Sequence, residues 1–173
     1  MGFWSIFLPA FLAFIFSIIL FYLTKLVSNT LEKKRLEGNL INEFELNELL
    51  LKNLLRELEH LEYLSFRNIA KNDKPITTPI YSNYRRFFTE TFFMKWFLYE
   101  KLDPNDINKI DRILNVMSIE HQNYIRAQIA EWKTGDGGVD GDKKFRIILE
   151  DERNMISQFI RDIRQIREKL ETR

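Results

Sequence analysis

Residues 1–24 read MGFWSIFLPAFLAFIFSIILFYLT and contain no charged side chain, whereas the rest of the chain holds every Lys, Arg, Asp and Glu. Within this stretch, Phe3–Leu23 consists mainly of Phe, Leu, Ile and Ala, interrupted by Pro9 and two serines. A helix rises about 1.5 Å per residue, so this run is long enough to cross a hydrocarbon core of about 30 Å. A helix also satisfies its own backbone hydrogen bonds in lipid. The sequence therefore predicts a transmembrane helix over residues 1–24.

Three other interpretations of this stretch are less favoured. A cleavable signal peptide has a basic start, a shorter apolar region and a small-x-small cleavage site, whereas Phe21–Leu23 ends this run with bulky residues. A buried core helix rarely needs so long an apolar run. Myristoylation of Gly2 prefers Ser or Thr at the sixth position, where this chain has Ile6. A single membrane span is therefore the prediction.

Basic residues flank the apolar stretch on its C-terminal side. Lys25 and the run Lys33–Arg35 follow it, and by the positive-inside rule they predict that the C-terminal part lies in the cytoplasm. Trp4 and Tyr22 suit the two membrane interfaces, where amphipathic rings settle. We therefore expect a single-pass protein of the inner (cytoplasmic) membrane in three parts: a span at 1–24, a juxtamembrane segment at 25–39 and a cytosolic helical domain at 40–173.

The composition of the 173-residue chain narrows the possible functions. It contains no cysteine, which excludes disulfides, thiolate catalysis and Cys-ligated zinc or iron–sulfur sites. The net charge of +1 gives no global electrostatic case for binding duplex nucleic acid. Charge is nevertheless uneven, since residues 37–62 hold seven acids against two bases and residues 143–173 hold nine bases against six acids. The two segments either pair with each other or form separate solvated helix faces.

Helical periodicity follows the juxtamembrane segment. Apolar residues recur at three- and four-residue steps at Leu40, Phe44, Leu51, Leu54, Leu55, Leu58, Leu61 and Leu64. Leu46, Leu49 and Leu50 widen this stripe, which predicts burial of the helix on more than one side. Gly38–Asn39 is the candidate break before it, and both a continuous and a broken helix remain open.

Prolines and aromatics organise the middle of the chain. Two prolines within Asn72–Pro79 exclude a helix interior and predict a loop. Nine aromatics then crowd into Tyr81–Tyr99, and the prediction is a helix over Tyr81–Leu102. Aromatics on so much of its circumference indicate that this helix either packs in the core or lies in the membrane interface.

A strong start signal comes next, because Asp103 can cap a helix and Pro104 suits its first position. A polar interval at Glu120–Asn123 is a candidate kink in the helix that follows. The Gly- and Asp-rich stretch Thr134–Asp142 predicts a flexible loop.

The last predicted helix, Lys143–Thr172, carries an apolar seam at three- and four-residue spacing. The seam consists of Leu149, Ile156, Phe159, Ile163, Ile166 and Leu170, with Glu152 at one seam position. Phe145–Leu149 is the one stretch that could begin as a strand. The prediction is an all-α fold, with the single transmembrane helix followed by a bundle of about four helices.

No constellation in the sequence argues for an enzyme, a metal or a cofactor. His60 and His121 each lie alone, without the paired spacing of a zinc helix. Asp136, Asp140 and Asp142 do not follow the EF-hand order, and they would repel a phosphate from the Gly-rich backbone around them. We therefore expect a protein that binds and does not catalyse, with no cofactor.

Basic residues beside aromatics form the sharpest candidate site. Arg85 and Arg86 lie between Tyr84 and Phe87, and such a pattern can stack bases while neutralising phosphates. The other interpretation places the aromatics in the core and the arginines against anionic lipid head groups or the acidic helix. The predicted anion contacts are these two arginines and the basic residues after the Gly-rich loop: Arg85, Arg86, Lys143, Lys144 and Arg146.

The layout of the chain resembles that of a known class of proteins. It combines an N-terminal span, the basic run Lys33-Lys34-Arg35, the leucine-rich helix around Glu45–Leu50 and a small helical domain. This layout is similar to that of membrane-anchored ancillary effectors of type III CRISPR systems, which act in bacterial antiviral defence and are switched by cyclic oligoadenylates. The resemblance implies a cytosolic domain that binds a cyclic nucleotide and a span that oligomerises to perturb the membrane. It covers architecture and carries no functional residue across.

Two functions from different classes follow as hypotheses. The first is a non-enzymatic effector or sensor whose partners are the lipid bilayer, other copies of this chain and an anionic ligand such as a cyclic oligonucleotide, with no duplex nucleic acid. The second is a membrane-tethered scaffold that recruits a protein partner through the seam of its last helix.

Overall fold

The computed structural model describes residues 3–66, 76, 78–94, 97–134 and 138–172. Within these ranges it contains six helices and no strand, which confirms the all-α prediction and makes Phe145–Leu149 helical. Residue contacts divide the chain into two compact units, Met1–Asn39 and Leu40–Arg173. The helices are α1 Phe3–Phe66, α2 Phe87–Met94, α3 Phe97–Lys101, α4 Pro104–Val116, α5 Ile119–Thr134 and α6 Gly138–Glu171.

α1 passes through Gly38 and Asn39 without a break. Apart from α1 itself, no atom of the described residues lies within 4 Å of the point where a Cβ of residue 38 would stand, so this glycine serves no close approach to them. A lone glycine costs a helix about 1 kcal/mol relative to alanine, which is not enough to end a long helix. Of the two alternatives at this point, the continuous helix is the one observed.

The apolar part of α1 is exposed. From Phe11 to Leu23, its large apolar side chains are 37–64% exposed. In the described part of the chain, α1 is the one helix long and apolar enough to cross a membrane, and none of its most apolar stretch is buried. Its length and composition thus allow the single span that the sequence predicts.

In the second unit, one face of α1 contributes to the core. The buried members of the predicted stripe are Leu40, Phe44, Leu51, Leu54, Leu58 and Leu61. Leu46 and Leu49 remain 44% and 58% exposed, so the predicted burial of α1 on more than one side is wrong. They lie across the helix from Phe44 and Leu51, since each residue turns an α-helix by about 100°.

The aromatic segment is not the single helix predicted over Tyr81–Leu102, because its first residues form a non-helical turn. Oε1 of Gln122 accepts the backbone N–H groups of Tyr81 and the next residue, each at 3.2 Å. Asn47 binds both backbone groups of Arg85, accepting its N–H at 2.8 Å and donating to its carbonyl at 2.5 Å. Side chains of α1 and α5 thereby occupy backbone groups that a helix would pair internally.

The start of α2 is capped by Glu43, which lies on α1. Its Oε1 accepts the backbone N–H of Thr89 at 2.9 Å and the hydroxyl of the same residue at 2.6 Å. Thr89 is the third residue of α2, and an N–H at that position has no partner within its own helix. Both side chains are buried. Burial of Tyr84, together with the nearby charge of Glu43, raises the pKa of that tyrosine.

The aromatics of this segment divide into two groups. Tyr81 and Tyr84 are buried, whereas Phe87 and Tyr99 are 71% and 52% exposed. The described part of the chain does not include residues 95–96 or most of the predicted loop at 72–79. It also leaves out the side chains of Phe88, Phe92, Phe93, Trp96 and Phe97. Residues 76, 78 and 79 of that loop are described and are non-helical.

α4 begins where the sequence predicts. Oδ1 of Asp103 accepts the N–H of Asp106 at 2.9 Å, and Pro104 occupies the first helical position. This backbone hydrogen bond, followed by a hydrogen bond from Lys169, lowers the pKa of Asp103 to about 2. A carboxyl group whose pKa falls on folding stabilises the protein above its ordinary value, here 3.8, and loses that contribution as the pH falls towards 2.

We expect Asp103→Ala to lower the Tm by about 2–4 °C at neutral pH, because the cap is lost. Asp103→Asn keeps an acceptor for the N–H of Asp106 but does not titrate, so it serves as the matched control. Thermal unfolding followed by circular dichroism between about pH 5 and pH 2 measures both variants. The advantage of wild type over Asp103→Asn should shrink as the pH falls through this range, and a constant difference would contradict the assigned role.

The candidate kink at Glu120–Asn123 is displaced towards the N-terminus, where α4 and α5 are separated by Met117 and Ser118. Oγ of Ser118 accepts the backbone N–H of His121 at 3.2 Å. Ser118 therefore caps α5. Because a capping residue stands three residues before the N–H that it binds, the boundary between α4 and α5 lies at Ser118.

The predicted seam of α6 is confirmed. Its six apolar members are at most 3% exposed: Leu149, Ile156, Phe159, Ile163, Ile166 and Leu170. α6 packs against α4 and α5 of the same chain. The seam is therefore covered by helices of the same chain, and it leaves no accessible surface through which a scaffold would recruit a partner.

α6 begins at Gly138, so the loop predicted over Thr134–Asp142 is too long. The indole N–H of Trp132 donates to Oδ1 of Asp142 at 2.9 Å. The indole ring also stacks on Phe145, with centroids 4.7 Å apart. These contacts join α5 to the first turns of α6 despite their glycine content, while residues 135–137 lie outside the described residues.

Candidate anion-binding site

The predicted contacts Arg85 and Arg86 lie immediately before α2. Arg85 is held through its backbone by Asn47, and its side chain is exposed. Nε of Arg86 pairs with Glu90 of α2 at 3.1 Å, and both side chains are more than half exposed. Exposed pairs of this kind contribute only about 0–1 kcal/mol to stability. Both arginines are therefore accessible from solvent and are not committed to the core.

The predicted contacts on α6 differ in their surroundings. Lys143 is exposed, and the exposed Lys144 pairs with Glu131 at 3.3 Å. The guanidinium of Arg146 donates to the carbonyl of Ser65 at 3.2 Å. Ser65 belongs to the last turn of α1, where carbonyls without helical partners attract cations. Arg146 therefore caps α1.

The five predicted residues do not meet at one place. Arg85 is bonded to Asn47, whereas Arg146 is bonded to Ser65, farther along the same helix. At about 1.5 Å per residue, these two points on α1 are about 27 Å apart. The predicted residues therefore form two separate basic surfaces.

A different set of cations converges on one carboxylate. Glu48 of α1 is contacted by Lys52 at 2.7 Å, by Arg164 at 2.7 Å and by Arg167 at 3.1 Å. The side chain of Glu48 is 7% exposed, whereas those of Lys52 and Arg164 are 43% and 47% exposed. We call these four residues the Glu48 cluster. It confirms that the acidic segment 37–62 pairs with the basic end of the chain.

Burial and charge act on Glu48 in opposite directions. Burial raises the pKa of its carboxyl group, but the hydrogen bonds and the charges of Lys52 and Arg164 together hold the pKa below its ordinary value. The same carboxylate raises the pKa of the Arg164 guanidinium. Glu48 thus faces three positive charges, of which Arg167 also pairs with Glu171 at 3.5 Å.

An open groove of about 600 Å³ lies beside the Glu48 cluster. It is lined by Asn42, Glu45, Leu46, Glu48, Leu49, Lys52 and Arg167. Its volume falls within the range of about 300–1,000 Å³ that is typical of small-molecule sites. Leu46 and Leu49 give an apolar wall, while Lys52 and Arg167 give cationic donors beside the carboxylates of Glu45 and Glu48.

A buried polar centre explains why Glu152 occupies the apolar seam of α6. Its Oε2 accepts the hydroxyl of Tyr81 at 2.8 Å and lies 3.0 Å from Nε2 of His121. Burial, and then the charge of Glu152, raises the pKa of Tyr81. Tyr81 is only 1% exposed, whereas the side chain of His121 is 21% exposed, and the centre joins three segments of the domain. The presence of Glu152 in an apolar seam is the sequence signal for this centre. Its partners Tyr81 and His121 lie too far away in sequence to be identified from that signal.

No metal site in the described residues and no related protein points to another function. In the part of the chain that the structure describes, no group of three or more His, Cys, Asp or Glu side chains could hold a metal ion. Comparisons with protein-family models, curated proteins and solved structures found no match. The features of the described chain that bear on function are therefore α1 and the Glu48 cluster.

Proposed function

We propose that this protein is a self-associating, single-pass membrane protein whose helical domain binds a small anionic ligand at the Glu48 cluster. The observation that carries the proposal is the convergence of Lys52, Arg164 and Arg167 on one carboxylate beside an open groove. The basic residues after the span favour a domain in the cytoplasm. The layout shared with membrane-anchored CRISPR effectors favours a cyclic oligoadenylate as the ligand, the inner membrane as the location and antiviral defence as the process.

The chemistry of the groove suits a phosphate-bearing ligand. Lys52, Arg164 and Arg167 all contact the carboxylate of Glu48, and guanidinium groups present paired donors that match phosphate oxygens. A phosphate in the groove competes with Glu48 for these donors. Leu46 and Leu49, both exposed, offer an apolar surface to the rest of the ligand. A nucleotide combines these two properties.

The span is the output in this proposal. Glu48 and the apolar segment both belong to α1, so ligand binding acts on the helix that enters the membrane. One helix cannot enclose a pore, and perturbing the membrane therefore requires several copies to associate. The proposal involves no catalysis.

Two substitutions with opposite expected effects on ligand affinity test the site. Glu48→Gln removes the carboxylate that competes with the ligand for the cations, whereas Arg164→Gln removes a cation that contacts the ligand. In the full-length protein in detergent, we expect Glu48→Gln to tighten binding of a cyclic oligoadenylate about tenfold, since the cations lose their internal partner. Arg164→Gln should weaken the same binding about tenfold. Titration of a fluorescent cyclic tetra-adenylate measures both, with inorganic phosphate as a second probe.

Lys143→Gln is the matched control, since it removes an exposed cation from α6 outside the cluster and should leave affinity unchanged. Arg85→Gln tests the other exposed basic surface. Thermal unfolding of each variant separates lost binding from lost folding. If Arg85→Gln abolished binding while the Glu48 and Arg164 variants kept wild-type affinity, the site would lie before α2. If wild type bound none of these probes, the ligand proposal would be overturned.

A further inference from the structure

We propose that the groove beside the Glu48 cluster selects phosphate-bearing ligands that also carry an amino group, and that Glu45 accepts a hydrogen bond from that amino group. The inference rests on the phosphate-bearing ligand of the proposed function and names the feature of this ligand that determines specificity. It assigns a role to the one carboxylate on the groove wall that lies outside the Glu48 cluster.

The groove has an acidic end and a basic end. Its wall on α1 includes Glu45, Leu49 and Lys52 in that order. Glu45 and Lys52 are seven residues apart, so they lie on the same side of the helix and about 10 Å from each other along its axis. Leu49, between them, is 58% exposed. A ligand that reaches both ends therefore passes over an apolar surface.

α6 gives the groove the same polarity. Arg153 donates a hydrogen bond to Glu62 and Arg164 donates one to Glu48, so α6 runs antiparallel to this part of α1. Residues that follow Arg164 on α6 therefore lie beside earlier residues of α1. Glu171, two turns further on and 48% exposed, adds negative charge at the acidic end, whereas Arg164 lies nearer the basic end.

The chemistry of the acidic end favours a hydrogen-bond donor. The side chain of Glu45 is exposed, and no cation stands three or four positions from it on α1, where a helical ion pair would form. An ionised carboxylate accepts hydrogen bonds and donates none, so it repels a second phosphate but binds the exocyclic amine of adenine or cytosine. Asn42, which also lines the groove, offers an amide, the group that pairs with the amino edge of adenine.

Two cyclic tetranucleotides that differ only in the amino group test the proposal. The first is cyclic tetra-adenylate, and the second has purine riboside, which lacks the 6-amino group, in place of each adenosine. Each is titrated against the fluorescent cyclic tetra-adenylate on the full-length protein in detergent. We expect wild type to prefer the amino-bearing ligand about tenfold, the effect of one hydrogen bond to a charged group. Equal affinity for the two ligands would overturn the proposal.

Glu45→Ala should abolish this preference, so that the ratio of the two affinities falls from about ten to about one. The ratio is the decisive readout, because the two ligands carry the same charge and a change in overall charge shifts both affinities alike. Glu59→Ala is the matched control, since it removes an exposed carboxylate of α1 from outside the groove and should keep the preference. A preference that persists in Glu45→Ala, or that both variants lose equally, would contradict the role of Glu45.

The comparison on wild type also keeps this proposal separable from the proposed function. If wild type bound both tetranucleotides with equal affinity, the phosphate-bearing ligand of the proposed function would stand and the role of Glu45 alone would be overturned. If wild type bound neither, both proposals would be overturned. A preference for the amino-bearing ligand that depends on Glu45 supports both.

Discussion

Phe159→Ala is expected to lower the free energy of unfolding of the helical domain by about 3–5 kcal/mol. Phe159 is 1% exposed and is among the largest fully buried side chains of α6. The guanidinium carbon of Arg112, on α4, lies 5.8 Å from the centroid of its ring, within the range of a cation–π contact. Truncation removes these contacts and leaves a cavity between packed helices, which relax only partly around it.

Urea unfolding of the full-length protein in detergent, followed by circular dichroism, measures this loss. Ile147→Ala is the matched control, since Ile147 is also on α6 but is 51% exposed and should change stability by less than about 0.5 kcal/mol. Comparable losses of stability for the two variants would contradict the burial of the apolar seam of α6 in the core.

A pair of arginines in the apolar part of α1 is expected to remove the protein from the membrane. Phe14 and Ile18 are 63% and 41% exposed near the middle of the apolar stretch. An arginine near the centre of a span costs about 2.5–3.5 kcal/mol, so Phe14→Arg with Ile18→Arg opposes insertion by about 5–7 kcal/mol. The measurement is the fraction of protein that remains in the membrane pellet after alkaline extraction.

The control for this experiment places the same two charges after the span. Ser28→Arg with Asn29→Arg changes residues that follow Lys25, so membrane association should remain at the wild-type level. If the double arginine in the apolar stretch stayed in the pellet as fully as this control, α1 would not be the membrane anchor.

Elements of the fold that depend on neighbouring residues could be predicted from the sequence. The start of α4 follows from Asp103 and Pro104, and the seam of α6 follows from the spacing of its apolar residues. The turn at Tyr81 could not be predicted in the same way. Its backbone is held by Asn47 and Gln122, which lie 38 and 41 residues away. Tertiary hydrogen bonds of this kind override local helix propensity.

The candidate site likewise contains residues that local sequence reveals and residues that only the fold brings together. Aromatics on either side of Arg85 and Arg86 in sequence predict a binding surface at these residues, and the structure leaves both accessible. The Glu48 cluster instead joins residues up to 119 positions apart, and charge composition indicated only that two segments could pair. Which carboxylate is buried, and which cations reach it, depends on how α6 packs beside α1.

The cap that Glu43 provides to α2 bears on the order of folding. α2 has only eight residues, and isolated helices of that length are not stable in water. The carboxylate that holds its first turn lies 46 residues earlier in the chain, so a long loop must close before α2 gains this partner. We therefore expect α2 to form after the turns of α1 that carry Glu43, together with the surface that presents Arg86.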